Sequence, residues 1–240
     1  MEFERSSGYN EKIEGGSKKE TWDTPLDFKA DQEGMDLGLT LEIIELFIRN
    51  KENHLGSGGA GKVFTMGDQC IKVMVNRHSK PQSNQRYKLG NSPEQEFAIQ
   101  TMLNNFEVEG VFSPRTLRCY VGDTSAAIVM EELKAVNLQM VLSGKEELPD
   151  CFDLEDFFSR LEEYTVTMHD EKRIVHNDLE ARNIMIDLET GYPRVIDFGK
   201  SSVGQSDFSI LAKKDLQDIE DAYGKTKLFI DKKRNIVYSG

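Results

Sequence analysis

Ile174-Val175-His176-Asn177-Asp178-Leu179-Glu180-Ala181-Arg182-Asn183 is the stretch whose reading decides the fold. Asp178 and Asn183 stand five residues apart in it. On a loop, that spacing lets both side chains face one cleft. Asp178 can then accept a proton or orient a nucleophile, and Asn183 can hold a metal ion. A polar turn with an Asx cap explains an isolated Asp and Asn equally well. It does not explain His176 two positions before Asp178 and Leu179 directly after it.

Further along lies Val195-Ile196-Asp197-Phe198-Gly199. An Asp that ends a β-branched strand before a Gly is placed to offer a carboxylate to Mg²⁺, which prefers hard oxygen ligands. The plain alternative is a strand-terminal turn. Upstream, Gly56-Ser57-Gly58-Gly59-Ala60-Gly61-Lys62-Val63 reads as a phosphate cradle, because glycines let backbone amides close on phosphate oxygens without a Cβ in the way. The same letters almost fit a Walker A loop. Val63 stands where that loop needs Ser or Thr, and the residues that follow read as a strand instead of a helix.

Val63 and Phe64 before Gly67-Asp68, then Ile71, Val73 and Val75, read as a hairpin, whose second strand, Cys70–Val75, alternates. Cys70, Lys72 and Met74 share one face; Ile71, Val73 and Val75 share the other. A Lys inside an apolar strand calls for an anion. Glu96 is the candidate, because it lies on the apolar stripe Ile99, Met102, Leu103, Phe106 of the next helix, whereas Glu94 is rotated off it. Ser92 as N-cap, Pro93 at the first helical position and Gln95 completing a capping box open that helix.

In combination and in this order, the glycine loop, Lys72, Glu96, His-x-Asp-Leu-x-x-x-Asn and Asp-Phe-Gly resemble the protein-kinase superfamily. The resemblance spans about residues 54–200. It implies an α+β fold of two lobes, a β-rich N-lobe over about 39–130, a hinge at 131–133 and a truncated helical C-lobe over about 134–240. It implies ATP and Mg²⁺ as cofactors and a protein as substrate or partner. By the same resemblance, Lys72 binds the α- and β-phosphates, held by Glu96, and Asp178 is the catalytic Asp. Asn183 and Asp197 hold magnesium. Gly56 through Gly61 cover the phosphates, Val63 and Cys70 roof the adenine, Met185 floors it, and Met130, Glu131 and Leu133 form the gatekeeper and hinge.

Several positions depart from the pattern. Asn177 replaces the Arg that reads activation-loop phosphorylation, Glu180 replaces a phosphate-contacting Lys, and Gln100 stands where an apolar residue is usual. Arg182 is then the expected cation for the γ-phosphate. No Ala-Pro-Glu follows Gly199, and the chain resembles minimal atypical kinases more than ordinary ones: the RIO and KEOPS-kinase types and trimmed bacterial or phage effector kinases. In these a helix follows directly, here expected over 213–223, with Asp215 bracing the catalytic loop. The expected activity is phosphoryl transfer to protein Ser or Thr hydroxyls. A nucleotide-driven ATPase or scaffold and a small-molecule phosphotransferase are the alternatives.

Composition frames the reading. With 30 basic and 42 acidic residues the net charge is −12, which argues against a phosphate-backbone binder and so against nucleic acid as a direct partner. Cys70, Cys119 and Cys151 form neither a metal pattern nor a disulfide framework. The N-terminus has no apolar h-region and no long apolar run occurs, so neither Sec export nor a membrane span is expected. A cytoplasmic protein is the expectation, with a polar N-terminus compatible with non-classical export. Residues 1–38 read as a disordered polar arm. The helix after it carries a stripe of Leu39, Ile43, Leu46 and Phe47.

Overall fold

The computed structural model describes residues 41–57, 61–75, 90–204 and 207–237. The arm expected over 1–38, Leu39 and most of the loop 76–91 lie outside the described residues.

The chain opens with α1 (Leu41–Arg49) and continues into β1 (His54–Ser57), β2 (Lys62–Thr65) and β3 (Gln69–Val75). Gly67, at φ 87°, makes the β2–β3 turn in a conformation that costs a residue with a Cβ. After α2 (Pro93–Thr101) come β4 (Glu107–Val108), β5 (Val111–Phe112), β6 (Thr116–Val121) and β7 (Ser125–Glu131). An antiparallel sheet forms in the order β1-β2-β3-β7-β6. This is the N-terminal lobe, and both faces of β3 are covered. Ile71 and Val73 pack outward with Phe64, Val129 and Ile44. Cys70 and Met74 pack inward with Ile128 and Met130.

The second lobe comprises β8 (Ala135–Asn137), α3 (Leu138–Leu142), α4 (Leu154–Thr167), β9 (Ile174–Val175), β10 (Ile184–Asp187), β11 (Pro193–Val195), β12 (Ser202–Val203) and α5 (Phe208–Val237). Phe157, Leu161 and Tyr164 of α4 are buried at helical spacing and centre its core with Leu179, Ile184, Ile186, Phe198 and Ile219. A π turn over Met168–Lys172 and a left-handed Arg173, at φ 56°, end α4 and turn the chain into β9. Antiparallel pairs β8–β10 and β10–β11 form a floor beneath the interlobe cleft, and β9 pairs with β12.

Three boundaries differ from expectation. α2 stops at Thr101, so Met102 lies in the following turn and is exposed, whereas Leu103 and Phe106 are buried from that turn. β11 ends at Val195, because Asp197 has a positive φ that no strand accommodates. α5 runs well past the expected 213–223 at both ends, with Ile219, Ala222 and Thr226 continuing its buried face.

The stripe on α1 is also displaced. Ile44 and Ile48 are buried and Phe47 packs beside them, while Ile43 is half exposed and Leu46 is 71% exposed. With six apolar residues among nine, the sequence offers two overlapping stripes, and the outer face of the sheet selects the one on which Ile44 and Ile48 lie a turn apart. Truncating Ile44 to Ala is therefore expected to cost about 2–4 kcal/mol of stability, and truncating Leu46 less than about 0.5, in denaturant unfolding. A larger loss at Leu46 would restore the stripe read from the sequence.

Candidate active site

β3 alternation turns Lys72 into the cleft, where it is 6% exposed. Its Nζ donates to Glu96 Oε1 at 2.6 Å and to Asp197 Oδ1 at 2.8 Å. Burial works to lower the Lys72 pKa, but the two carboxylates outweigh it and hold the ammonium above its ordinary value. Glu96 reaches this position because the capping box between Ser92 and Gln95, with Pro93 in the first turn, fixes where α2 starts. Burial pushes the Glu96 carboxyl up against the pull of Lys72. Gln100 takes no part in the ion pair. Its Nε2 donates to Pro114 O at 2.8 Å, which explains a polar residue in an apolar setting. Gly199 closes over the group: a Cβ there would stand 3.2 Å from both Glu96 Oε2 and Asp197 Oδ1.

Asp215, fully buried on α5, organises the loop that carries Asp178. Its Oδ2 accepts from His176 N at 2.7 Å and His169 Nε2 lies 3.0 Å away; its Oδ1 accepts from Asn177 N at 2.8 Å. Held there, Asn177 adopts φ 63°, and Asp197 adopts φ 66° on the facing segment. Non-glycine residues at such values mark strain that surrounding contacts must maintain. His176 ties the two segments together, its Nε2 lying 3.0 Å from Ile196 O and its ring packing on Phe198. Asn91, just before α2, ties the start of that helix to the segment after Asp197, donating to Phe198 O at 3.1 Å and Ser201 O at 2.8 Å.

Asp178 Oδ2 accepts from Asn183 Nδ2 at 3.0 Å, and Asp178 O accepts from the same amide at 2.7 Å. Both bonds use the nitrogen, so among the described residues the Asn183 oxygen is left as an open acceptor. Asp178 Oδ1 accepts from Arg182 at 2.8 Å and from Lys200 Nζ at 2.8 Å. Burial would raise the Asp178 pKa, but those two cations outweigh it and hold the carboxyl below its ordinary value. Arg182 also bonds Glu180 Oε2, at 2.6 Å. Lys200 belongs to no motif read from the sequence. The only signal for it is its position directly after Asp-Phe-Gly. Asp197 is likewise depressed: burial raises it, and Lys72 more than offsets that.

The residues expected to enclose a nucleotide fall on the cleft side. Val63 packs with Cys70, Met74, Ile128 and Met130 beneath the sheet. Met185 alternates with the buried Ile184 and Ile186 and so points away from the C-lobe core, toward the cleft. Glu131 ends β7 and Leu133 lies in the link to β8. Gly56 and Ser57 pair with Val63 and Lys62 in the β1–β2 hairpin, and at Gly61 a Cβ would meet Val73 O at 2.3 Å. Gly58, Gly59 and Ala60 lie outside the described residues. Burial pushes the Cys70 thiol up to about 12, so it behaves as an apolar surface and not as a nucleophile.

His176 is fully buried, and burial lowers its pKa against the pull of Asp215. A histidine held neutral in the fold but free to charge when unfolded destabilises the fold as pH drops below the ordinary histidine value. The ring is expected to be mostly neutral at pH 6.5, with its proton on Nε2 toward Ile196. Nitrogen-15 NMR of the ring checks this, and titration at or above the ordinary value of 6.5 would contradict it.

Comparison with known proteins places this geometry. Residues 49–216 match the model of the protein kinase domain. A curated relative, serine/threonine-protein kinase prk-2 from Caenorhabditis elegans, is 29% identical over 166 residues, which is 65% of this chain and 36% of the relative. The chain thus spans little more than a third of the relative it matches. With Lys72, Glu96, Asp178, Asn183 and Asp197 all in the matched region, the chain belongs to the protein kinase family.

Proposed function

We propose that this chain transfers the γ-phosphoryl group of ATP to serine or threonine hydroxyls of a protein. One observation carries the reading. Lys72, Glu96 and Asp197 come from three distant segments and meet through two short ion pairs, which sets both lobes in a working arrangement. The name of the C. elegans relative supports the hydroxyl specificity.

Magnesium fits the residues present. Asp197 Oδ1 is engaged by Lys72 and by Gly199 N, which leaves Oδ2, and the Asn183 oxygen has no donor among the described residues. These are two hard oxygens of the kind Mg²⁺ takes, and the ion would neutralise phosphate charge there. Lys72 supplies the buried cation for the non-transferred phosphates. Asp178, fixed by Asn183 and the Asp215-braced loop, orients the acceptor hydroxyl and takes its proton. The hydroxyl oxygen bonds to the γ-phosphorus as the bond to the bridging oxygen breaks, leaving ADP.

The short segment between Gly199 and α5 supports the minimal atypical type expected from sequence, in which no separate activation-segment readout is built. Asn177 Nδ2 donates to Lys200 O at 3.1 Å and to Ser202 Oγ at 3.2 Å, so a neutral amide already holds the segment that a phosphate–arginine pair orders elsewhere. Among the described residues no helix is long and apolar enough to cross a membrane.

Radiolabelled ATP with a panel of basic proteins tests the reading. Transfer to Ser or Thr is expected, with Asp197→Ala folded and inactive. Undiminished transfer in that variant, or ATP hydrolysis without protein labelling, would overturn it. Phosphatase treatment is expected to leave the initial rate within about twofold, under ~0.4 kcal/mol of barrier. A tenfold fall restored by pre-incubation with ATP would show that a phosphate on the segment is read after all.

A further inference from the structure

Two cations sit on Asp178, and they are not equivalent. Arg182 is divided: one amino group is on Asp178 and the other, at 2.6 Å, is on Glu180. Its guanidinium is planar and rigid, so contact with both carboxylates fixes its direction along the catalytic loop. Lys200 has one acidic partner among the described residues, Asp178 Oδ1 at 2.8 Å. Its side chain is 57% exposed, and an ammonium has three N–H donors, of which Asp178 occupies one. Its backbone, by contrast, is anchored. Lys200 O accepts from Asn177 Nδ2, and the preceding Gly199 O accepts from Asn91 N at 2.7 Å. At Gly90 a Cβ would strike that same carbonyl at 2.5 Å.

A flexible ammonium on a fixed backbone, next to the carboxylate that takes the acceptor proton, is the arrangement that follows a moving negative charge. From these contacts we propose that Lys200, and not Arg182, is the cation that stabilises the phosphoryl group as it passes to the acceptor, and that Arg182 is a positioning residue tethering Asp178 to Glu180. The proposal rests on the kinase reading above. In the step, the acceptor oxygen–phosphorus bond forms, the bond to the bridging oxygen breaks, Asp178 takes the hydroxyl proton, and Lys200 remains protonated throughout. Its contribution is electrostatic and concentrated where charge develops.

The test uses the full chain carrying Lys200→Ala, Lys200→Arg, Arg182→Ala and the double variant Lys200→Ala with Glu180→Gln. Lys200→Ala is expected to lower kcat by at least about 30-fold with KM for ATP changed less than about threefold, as for loss of an interaction made in the transition state. Lys200→Arg should recover most of kcat. Removing Glu180 in the alanine background frees the second amino group of Arg182 to reach the phosphoryl group and should recover part of the loss, which a purely structural role would not do. Arg182→Ala should cost less than Lys200→Ala. Calorimetry gives a readout independent of turnover: Lys200→Ala should weaken binding of Mg·ADP with aluminium fluoride, a mimic of the phosphoryl in transit, by at least about tenfold while Mg·ADP alone changes under about twofold. Equal weakening of both, or a larger kcat loss at Arg182, would overturn the assignment. A wild-type chain that transfers no phosphate to protein would overturn the proposed function, and this inference with it.

Discussion

The structure depends on one buried ammonium. Lys72 is a charged residue buried in a central strand of the sheet, where both neighbouring strands pair with it. Removing a single partner from a buried ion pair costs about 3–5 kcal/mol, because the remaining charge stays buried and uncompensated. Lys72 has two such partners, and neither is near it in sequence: Glu96 comes from α2 and Asp197 from the segment after β11. The requirement to neutralise one cation therefore fixes where α2 docks and how the two lobes face each other. The capping box at Ser92, the tight approach at Gly199 and the amide of Asn91 all serve that placement.

A second buried charge does for the lower lobe what Lys72 does between lobes. The carboxylate of Asp215 replaces water for two backbone amides of a loop that could not otherwise bury them. It thereby holds Asn177 at a positive φ and aims Asp178 at the cleft. α5 is consequently more than a packing helix. Its third turn carries the brace, and its length beyond Thr226 extends the same face along α4.

Much of this was legible in the sequence, for physical reasons that can be named. The cap at Ser92 and the alternation of β3 are local rules, and the structure obeys them residue by residue. Lys72 with Glu96 was readable because a charge on an apolar stripe demands a partner, and the two stripes supply one each. The stripe on α1 was not, since Ile43, Ile44, Leu46 and Phe47 permit two registers and only the sheet beneath selects between them. The end of β11 was missed because no residue type announces that Asp197 turns to φ 66°. Lys200 was missed because a lysine in a polar segment looks like solvated surface until the fold places Asp178 beside it. The hydrogen bond of Gln100 to Pro114 O explains a residue that by its letter alone looked out of place.

If Lys72, Glu96 and Asp197 act as one unit, their removal must be non-additive, since each variant already dismantles what the next would remove. The direct measurement is phosphoryl transfer by Lys72→Met, Glu96→Gln and the double variant, with folding followed by thermal melts. Each single variant is expected to lose at least about 100-fold in kcat/KM, and the double variant to lose scarcely more than the worse of the two. Losses that multiply in the double variant, or a Glu96→Gln variant with undiminished activity, would contradict the account.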